Sequence, residues 1–292
     1  MGARRADPGP CCLPMAPREW PRAMIGTYWE RRTDRAGHVM GELDEKTAVI
    51  TGAGRGIGRA IARALAERGA HAVLVSRTSE HLEAADAELE AAGLDVRTLE
   101  ADIDDPEWLD RLDEAAPTID VLVNNAATFA PYGLLETVEM EEIDRVLTTC
   151  VRSTLRLIRH VLPGMKERGF GRIVNVGSVA ASLGATGQVA YASAKASLVG
   201  MTRTVAIECA RRGVTCNMLE LGLIETERVN EMIEPRVQEQ FTRNTPIGRV
   251  GNVEEVAHAA AFLASPRASY ITGATLPVSG GLGLGMFPEQ LG

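Results

Sequence analysis

One short stretch, "TGAGRGIGRA" at residues 51–60, constrains the fold more than any other part of this sequence. It lies between a strand-like run, "TAVIT" (47–51), and a helix-like run, "GRAIARALAERGA" (58–70). Glycines at positions 52, 54, 56 and 58 allow a tight turn in which a diphosphate can approach the backbone and the N-terminus of the helix. A glycine cluster alone is a weak indication, but the strand–turn–helix context predicts a dinucleotide cradle.

The rest of the chain repeats the same alternation of short β-rich runs and longer runs that are apolar at helical spacing. Because strands separated by helices need crossover connections, we expect a parallel sheet covered on both faces. The stretch 140–165 is predicted as one long helix, and residues 41–292 contain no linker. The sequence thus predicts a single α/β domain, a Rossmann-like, doubly wound, seven-stranded parallel sheet. The predicted strands are 47–51, 71–76, 95–101, 119–125, 171–178, 214–219 and 274–279.

Charge and cysteine content narrow the class of protein. With 31 basic and 39 acidic residues the formal charge is −8, so the chain has no electrostatic reason to bind nucleic acid or an anionic membrane. No apolar run approaches the roughly 20 residues of a membrane helix. Five cysteines without a CxxC motif favour a reducing compartment and no metal site. We expect a cytoplasmic protein whose partners are small molecules or copies of itself.

Residues 1–40 differ from the body of the chain. The first 39 residues contain five prolines and seven arginines but neither lysine nor serine, and they include no apolar signal region. We interpret them as an N-terminal extension, either a disordered arm or an upstream segment ahead of a start at Met40. In the alternative interpretation, Trp20, Tyr28 and Trp29 anchor the arm onto the body or onto a neighbouring subunit.

The end of the second strand indicates which dinucleotide binds. An acidic residue there would accept hydrogen bonds from an adenosine ribose, but this chain has Ser76 and Arg77. A guanidinium group suits a 2′-phosphate, and Arg55 in the glycine turn could add a second cation. The pattern favours NADPH over NADH. Alternatively, Arg77 is a solvated surface residue and Arg55 only begins the helix.

Tyr191 and Lys195, in "YASAK", share one face of a helix because they are four residues apart. A nearby ammonium would lower the pKa of the phenol from its usual value near 10 and make it an acid usable near neutrality. The spacing alone is a weak indication. Ser178 strengthens it, because this serine ends a predicted parallel strand, at the edge of the sheet where ligands bind.

These motifs resemble the short-chain dehydrogenase/reductase family, in particular its bacterial 3-oxoacyl-carrier-protein reductases, from about residue 43 to 281. "NNAA" (124–127), "LGLIET" (221–226) and the stretch from "PIGRVG" (246–251) to the closing glycines add to the resemblance. It implies that Tyr191 is the general acid, that Ser178 holds the substrate carbonyl oxygen, and that Lys195 lowers the tyrosine pKa and binds the nicotinamide ribose. A homo-oligomer, a tetramer or dimer, is expected.

The resemblance also implies a set of residues that contact NADPH. Asp102 and Ile103 match positions at the adenine, while Ile224 and Thr226 match positions at the nicotinamide carboxamide and the phosphates. Three of these residues have a structural alternative: Asn124 stabilises a turn through its amide, Thr226 caps a helix, or Asp102 is a surface carboxylate. The complete expected set is Gly52, Arg55, Gly56, Ile57, Gly58, Ser76, Arg77, Asp102, Ile103, Asn124, Ala126, Tyr191, Lys195, Gly222, Ile224 and Thr226.

Cys150 departs from the family pattern, which has an asparagine here that helps to hold a water beside the lysine for proton supply. Cysteine has no amide, and its S–H is a weak donor. Three outcomes are open: backbone groups keep the water in place, Thr149 or Ser153 replaces the amide, or turnover is slow. A reactive cysteine is a further alternative, although buried cysteines are usually inert.

Residues 222–248 are expected to form a lid over the substrate, with Met232, Ile233, Val237 and Phe241 lining an apolar cleft. The predicted function is NADPH-dependent reduction of a ketone, such as a free or carrier-bound 3-oxoacyl thioester or a polyketide-like compound. One alternative is a cofactor-binding protein with weakened or lost catalysis that serves as a sensor or assembly partner. Another is an alcohol dehydrogenase that runs in the oxidative direction.

Overall fold

A computed structural model describes residues 41–284. The predicted N-terminal extension, with Trp20, Tyr28 and Trp29, lies outside these residues. The strands are β1 (Thr47–Thr51), β2 (His71–Ser76), β3 (Val96–Glu100), β4 (Val121–Asn124), β5 (Gly171–Val176), β6 (Val214–Leu221) and β7 (Thr275–Val278). The helices are α1 (Gly56–Ala66), α2 (Ser79–Ala91), α3 (Trp108–Ala115), α4 (Met140–Leu147), α5 (Ser153–Arg168), α6 (Ala180–Leu183), α7 (Val189–Cys209), α8 (Glu227–Met232), α9 (Pro235–Asn244) and α10 (Val253–Ala264).

The seven strands form one parallel sheet in the order β3-β2-β1-β4-β5-β6-β7. This confirms the predicted doubly wound sheet and every predicted strand. The strand order changes direction between β1 and β4, where Val49 pairs with Leu122. Crossovers leave β1 and β4 toward opposite sides there, so a crevice opens beyond their carboxyl ends, the usual ligand site of such folds.

Helices cover both faces of the sheet because alternate strand residues are apolar on both sides. Ala48 and Ile50 of β1 pack with α1, α2 and α10 in one buried cluster. Val49 points the other way, into a cluster formed with α3, α5 and α7. Among residues 41–284, no helix is both long and apolar enough to cross a membrane.

The predicted long helix over 140–165 is wrong in one respect. A π-helical turn, Thr148–Arg152, separates α4 from α5 and contains Cys150. A π turn carries an extra residue, and such turns often occur at functional sites. Apolar periodicity does not reveal a one-residue insertion, so the sequence could not predict the break.

Candidate active site

One cleft of about 560 Å³ opens at the carboxyl ends of β1, β4, β5 and β6. It brings together most of the sequence-predicted site residues from segments far apart in the chain. Those that line it are Gly52, Arg55, Gly56, Ile57, Gly58, Ser76, Arg77, Asp102, Ile103, Ala126, Ser178, Tyr191, Lys195, Gly222, Ile224 and Thr226. Two predicted residues, Asn124 and Cys150, are buried behind the lining rather than part of it.

The glycine turn forms one wall of the cleft. Gly52 and Gly56 have φ angles of +66° and +55°, which disfavour any residue with a Cβ. A Cβ at Gly58 would overlap the carbonyl oxygen of Gly52 and would lie 2.7 Å from the amide nitrogen of Asn125. No side chain caps the N-terminus of α1, and no acidic residue lies in its first turn. The turn thus leaves a bare, electropositive helix end facing the cleft.

Hydrogen bonds between the ends of β1 and β4 hold this wall in place. The hydroxyl of Thr51 accepts bonds from the backbone N–H groups of Asn125 and Ala126, both at 3.1 Å. The amide of Asn125 donates to the carbonyl oxygens of Thr51 at 2.9 Å and Gly52 at 3.1 Å. The strand ends therefore form one rigid unit.

Asn124, which we expected to contact the cofactor, instead has its side chain inside the sheet. Its amide donates to the side-chain oxygen of Asn175 at 2.8 Å. The amide of Asn175 donates in turn to the hydroxyl of Thr202 at 2.9 Å. This side chain therefore links β4 to β5 and α7 rather than stabilising a turn, because side chains alternate along a strand and Asn125 takes the position at the cleft. A cofactor contact through the backbone of the motif stays a prediction.

Two cations line the cleft, Arg55 in the glycine turn and Arg77 directly after β2. Arg77 pairs with Asp102 at 3.6 Å, and Arg55 pairs with Glu231 at 3.3 Å. A side-chain oxygen of Asp102 also accepts a hydrogen bond from the backbone N–H of Asp104 at 3.0 Å. Both ion pairs are largely exposed, so each contributes little stability and can be exchanged for another anion at small cost.

Ser178, Tyr191 and Lys195 meet at the opposite part of the cleft. The serine hydroxyl accepts a hydrogen bond from the backbone N–H of Ala180 at 3.2 Å and is also hydrogen-bonded to Tyr191. The Nζ of Lys195 is buried and donates to the carbonyl oxygen of Val176 at 2.7 Å. It lies 5.6 Å from the ring centroid of Tyr191.

Burial dominates the acidity of the tyrosine. Loss of solvation in the cleft raises the pKa of Tyr191 to about 12, against a lowering by the Ser178 hydrogen bond and by the charge of Arg228. Burial also lowers the pKa of Lys195. Desolvation thus outweighs the attraction of the nearby charges, and a lowering of the tyrosine pKa by Lys195 stays a prediction.

Cys150 lies in the π turn with only 1% of its surface exposed. Its thiol points to the carbonyl oxygen of Thr128 at 3.8 Å, a weak contact. The hydroxyls of Thr149 and Ser153 donate to the carboxylate of Asp104 at 2.6 and 2.8 Å. Because those hydroxyl protons are already used, replacement of the missing amide by Thr149 or Ser153 is disfavoured.

The expected lid segment carries two helices, α8 and α9. The hydroxyl of Thr226 caps α8 by accepting a bond from the backbone N–H of Val229 at 3.1 Å, and Thr226 lines the cleft as well. Ile224 forms a bridge with Gly251 that fixes the start of the segment. The predicted apolar lining is confirmed for Met232, Ile233, Val237 and Phe241.

Four of the cleft residues that the sequence analysis did not name lie near the proposed reacting groups: Asn125, Phe129, Tyr132 and Arg228. Asn125 belongs to the "NNAA" motif and could have been found by asking which of its two amides points out of the sheet. Phe129 stacks on Tyr191 with ring centroids 4.4 Å apart, and Arg228 lies over Phe129, its guanidinium carbon 4.5 Å from the ring centroid. Neither residue belongs to a motif, so only the fold brings them to the tyrosine.

A glycine turn at the switch point of a doubly wound sheet, with serine, tyrosine and lysine meeting across the cleft, defines a class of dinucleotide-dependent oxidoreductase. A family described as Enoyl-(Acyl carrier protein) reductase matches residues 52–283. Over 244 residues the chain is 41% identical to the 3-oxoacyl-(acyl-carrier-protein) reductase of Vibrio cholerae, across 82% of this chain and 98% of that protein. The chain belongs to the short-chain dehydrogenase/reductase family of oxidoreductases.

Solved structures of this family share the fold. A proposed NAD(P)-dependent gluconate 5-dehydrogenase from Beutenbergia cavernae, with NADP bound at low occupancy, superposes with a TM-score of 0.78. It is 35% identical and is matched over 82% of this chain and 97% of its own. Levodione reductase superposes with a TM-score of 0.77 at 33% identity, over 82% of this chain and 98% of its own.

Proposed function

We propose that this protein is an NADPH-dependent ketone reductase in which Tyr191 donates the proton to the carbonyl oxygen. The observation that carries the proposal is the meeting of Ser178, Tyr191 and Lys195 in the same cleft as the glycine turn. The three side chains supply an acid and a hydrogen-bond donor, and the glycine turn supplies a site for a dinucleotide. Together they match the needs of hydride transfer to a carbonyl.

The described residues fit a dinucleotide by their geometry. The turn excludes side chains at Gly52, Gly56 and Gly58, and the uncapped end of α1 provides N–H donors for a diphosphate. Asp102 and Ile103 would hold the adenine end, while Lys195, Ile224 and Thr226 would hold the nicotinamide end. When bound, the reduced nicotinamide supplies the hydride that becomes the new C–H bond.

Two arginines favour NADPH over NADH. Arg55 in the glycine turn and Arg77 after β2 both line the cleft, and their present ion pairs are exposed and weak. A phosphate of charge near −2 would attract either guanidinium more strongly than a single carboxylate does. The bound NADP in the Beutenbergia cavernae relative supports a site that accepts the phosphorylated dinucleotide.

In the proposed reduction, the hydroxyl of Ser178 donates a hydrogen bond that orients the carbonyl oxygen. Hydride arrival at the carbonyl carbon leaves negative charge on that oxygen, which takes the proton from the Tyr191 hydroxyl. The phenolate then regains a proton from solvent. Because burial raises the pKa of Tyr191, the residue carries its proton at neutral pH and is ready to donate it.

The proposed substrates are 3-oxoacyl thioesters, free or bound to a carrier protein, and related ketones. The name of the Vibrio cholerae relative supports the carrier-bound form, and levodione reductase supports a wider ketone range. We also propose a homo-oligomer in the cytoplasm. Exposed apolar side chains on the helices support self-association, namely those of Leu155, Ile207 and Phe262.

A second candidate function is cofactor binding with weakened catalysis. It is favoured by Cys150, since no amide stands at this position and the neighbouring hydroxyls are held by Asp104. Such a protein would keep NADPH affinity and turn over slowly. A panel of ketones and 3-oxoacyl thioesters, followed by NADPH consumption, separates the two functions. Tight NADPH binding without turnover of any compound would contradict the reductase.

The cofactor preference has its own test. Arg77→Asp should weaken NADPH binding by about 10- to 100-fold, because a charge-assisted phosphate contact becomes a repulsion, and should leave NADH binding similar or stronger. Arg203→Asp, an exposed change outside the cleft lining, is the matched control. Dissociation constants from fluorescence titration measure both. An unchanged NADPH-to-NADH ratio in Arg77→Asp would refute the preference.

A further inference from the structure

Arg228, on the lid helix α8, differs from the other two arginines of the cleft. Arg55 and Arg77 each have a carboxylate partner, Glu231 and Asp102. Within residues 41–284, no carboxylate forms an ion pair with Arg228. Glu231 acts on it only at longer range and has its own ion pair with Arg55. Its polar contacts are a carbonyl oxygen, that of Ala127 at 3.5 Å, and a thioether sulfur.

The position of this cation is fixed relative to the proton donor. Its guanidinium carbon lies 4.5 Å from the ring centroid of Phe129. Phe129 also stacks against Tyr191 with centroids 4.4 Å apart and an interplanar angle of 22°. The ring of Phe129 thus contacts both the guanidinium of Arg228 and the ring of Tyr191. The cation–π contact offsets only part of the lost solvation.

The surroundings of Arg228 disfavour an isolated charge. It is half-buried beside the apolar lining of Met232, Ile233 and Phe241. Burial, followed by repulsion from Arg55 and Arg77, lowers the pKa of Arg228. A guanidinium stays charged at any physiological pH, so a bound anion would relieve the part of this cost that the cation–π contact leaves. The cleft is therefore electrostatically incomplete without one.

We propose that Arg228 binds a carboxylate of the ketone substrate, so that the protein prefers ketones that carry a carboxylate a few bonds from the carbonyl. The inference rests on the proposed reduction, since it places the reacting carbonyl at Tyr191. A phosphate of the cofactor would offer the same chemistry. Arg228 contacts Phe129, and Phe129 stacks on Tyr191, so the guanidinium lies near the proposed position of the substrate carbonyl. This favours a substrate carboxylate over a cofactor phosphate, and the following experiment distinguishes the two anions.

The test compares 3-, 4-, 5- and 6-oxo acids with their methyl esters, using NADPH as the reductant. The wild type should reduce at least one oxo acid with a higher kcat/KM than its ester. Arg228→Met should lower kcat/KM for that acid by about 10- to 100-fold, the effect of one charged hydrogen-bonded contact, and change the ester by less than about threefold. Arg228→Lys should restore part of the loss, because it keeps the charge without the planar fork.

A binding measurement gives a second result that does not depend on turnover. In the presence of NADPH, 4-hydroxypentanoate is unreactive, and calorimetry should show that Arg228→Met binds it about 10-fold or more weakly than the wild type. Arg236→Met is the matched control, because Arg236 is an exposed lid arginine outside the cleft lining. It should change neither binding nor acid preference.

Three other outcomes would overturn the role proposed for Arg228. Equal losses for acid and ester together with weaker NADPH binding would assign Arg228 to the cofactor and overturn the inference. Equal losses with unchanged NADPH binding would assign it a packing role and overturn it as well. In both cases the wild type still reduces the neutral esters, so the proposed reductase stands. If the wild type reduces neither acids, esters nor 3-oxoacyl thioesters, the proposed function fails, and this inference fails with it.

Discussion

The two parts of the cleft are built in different ways. The nucleotide part is backbone and glycine: its geometry follows from Gly52, Gly56 and Gly58, and its two arginines are neutralised by neighbouring carboxylates. The catalytic part is made of side chains from β5, α7, the loop after β4 and the lid. There Tyr191 is stacked under Phe129, and Arg228 has no ion-pair partner in the described part of the chain.

We therefore expect the glycine turn to control cofactor affinity and the side chains around Tyr191 to control the reaction. A backbone cradle tolerates few substitutions, because added atoms collide with main chain that cannot move. The side-chain part depends on solvation and charge, which set the pKa of Tyr191. We expect changes in the first part to remove cofactor affinity and changes in the second to alter rate or substrate choice.

Tyr191→Phe gives the largest expected effect. Loss of the proton donor should lower kcat for ketone reduction by about 10³-fold while NADPH affinity stays within about twofold, because the cradle is untouched. Steady-state kinetics and fluorescence titration measure the two quantities. Tyr132→Phe is the matched control, since Tyr132 is the other tyrosine of the cleft lining, and it should keep most activity. Substantial turnover by Tyr191→Phe would show that the assigned acid is wrong.

Gly58→Ala tests the nucleotide part. Its Cβ would overlap the carbonyl oxygen of Gly52, so NADPH affinity should fall by at least about 100-fold. Gly200→Ala is the matched control, because nothing lies within 4 Å of a Cβ at this helical glycine. It should keep NADPH affinity and stabilise the fold by about 0.5–1 kcal/mol. Thermal melting distinguishes lost binding from lost folding, and normal NADPH binding by a folded Gly58→Ala would contradict the steric argument.

The ionisation of Tyr191 offers a pH test of the catalytic part. The pKa of Tyr191 is raised to about 12, so the proton is fully present below that value and is lost as the pH rises through it. The ultraviolet absorbance of the phenolate, wild type minus Tyr191→Phe without cofactor, should show no ionisation of this residue at pH ~10, where an ordinary tyrosine is half-ionised. Arg228→Met should move the titration further upward, since Arg228 lowers this pKa. A difference titration centred below pH ~10 would contradict the dominance of desolvation.

Cys150→Asn should have the smallest effect. If the missing amide limits proton supply, turnover should rise by up to about threefold; otherwise it should stay unchanged. Cys150→Ala controls for loss of the thiol alone, and melting temperatures verify that both variants fold. A marked loss of kcat in both variants would mean that the cysteine has its own role.

The sequence predicted the sheet, all seven strands and twenty of the cleft residues, four of them in the lid, because strand–turn–helix signals are local and the family motifs are short. It did not single out Asn125 as the amide of the "NNAA" motif that lines the cleft, and apolar periodicity did not predict the π turn at Thr148–Arg152. Both errors concern single-residue shifts. Periodic patterns average over several residues and do not resolve such a shift.

By itself the sequence determined where the glycine turn lies and that Tyr191 and Lys195 share one helix face, while the resemblance to the family assigned their roles together with Ser178. Glycine conformations and helical spacing act within a few residues, so these features need no distant contact. Only the tertiary structure decided the acidity of Tyr191, the stacking of Phe129 and the approach of Arg228. Desolvation and charge depend on which distant segments pack together, and no local pattern in the chain encodes that packing.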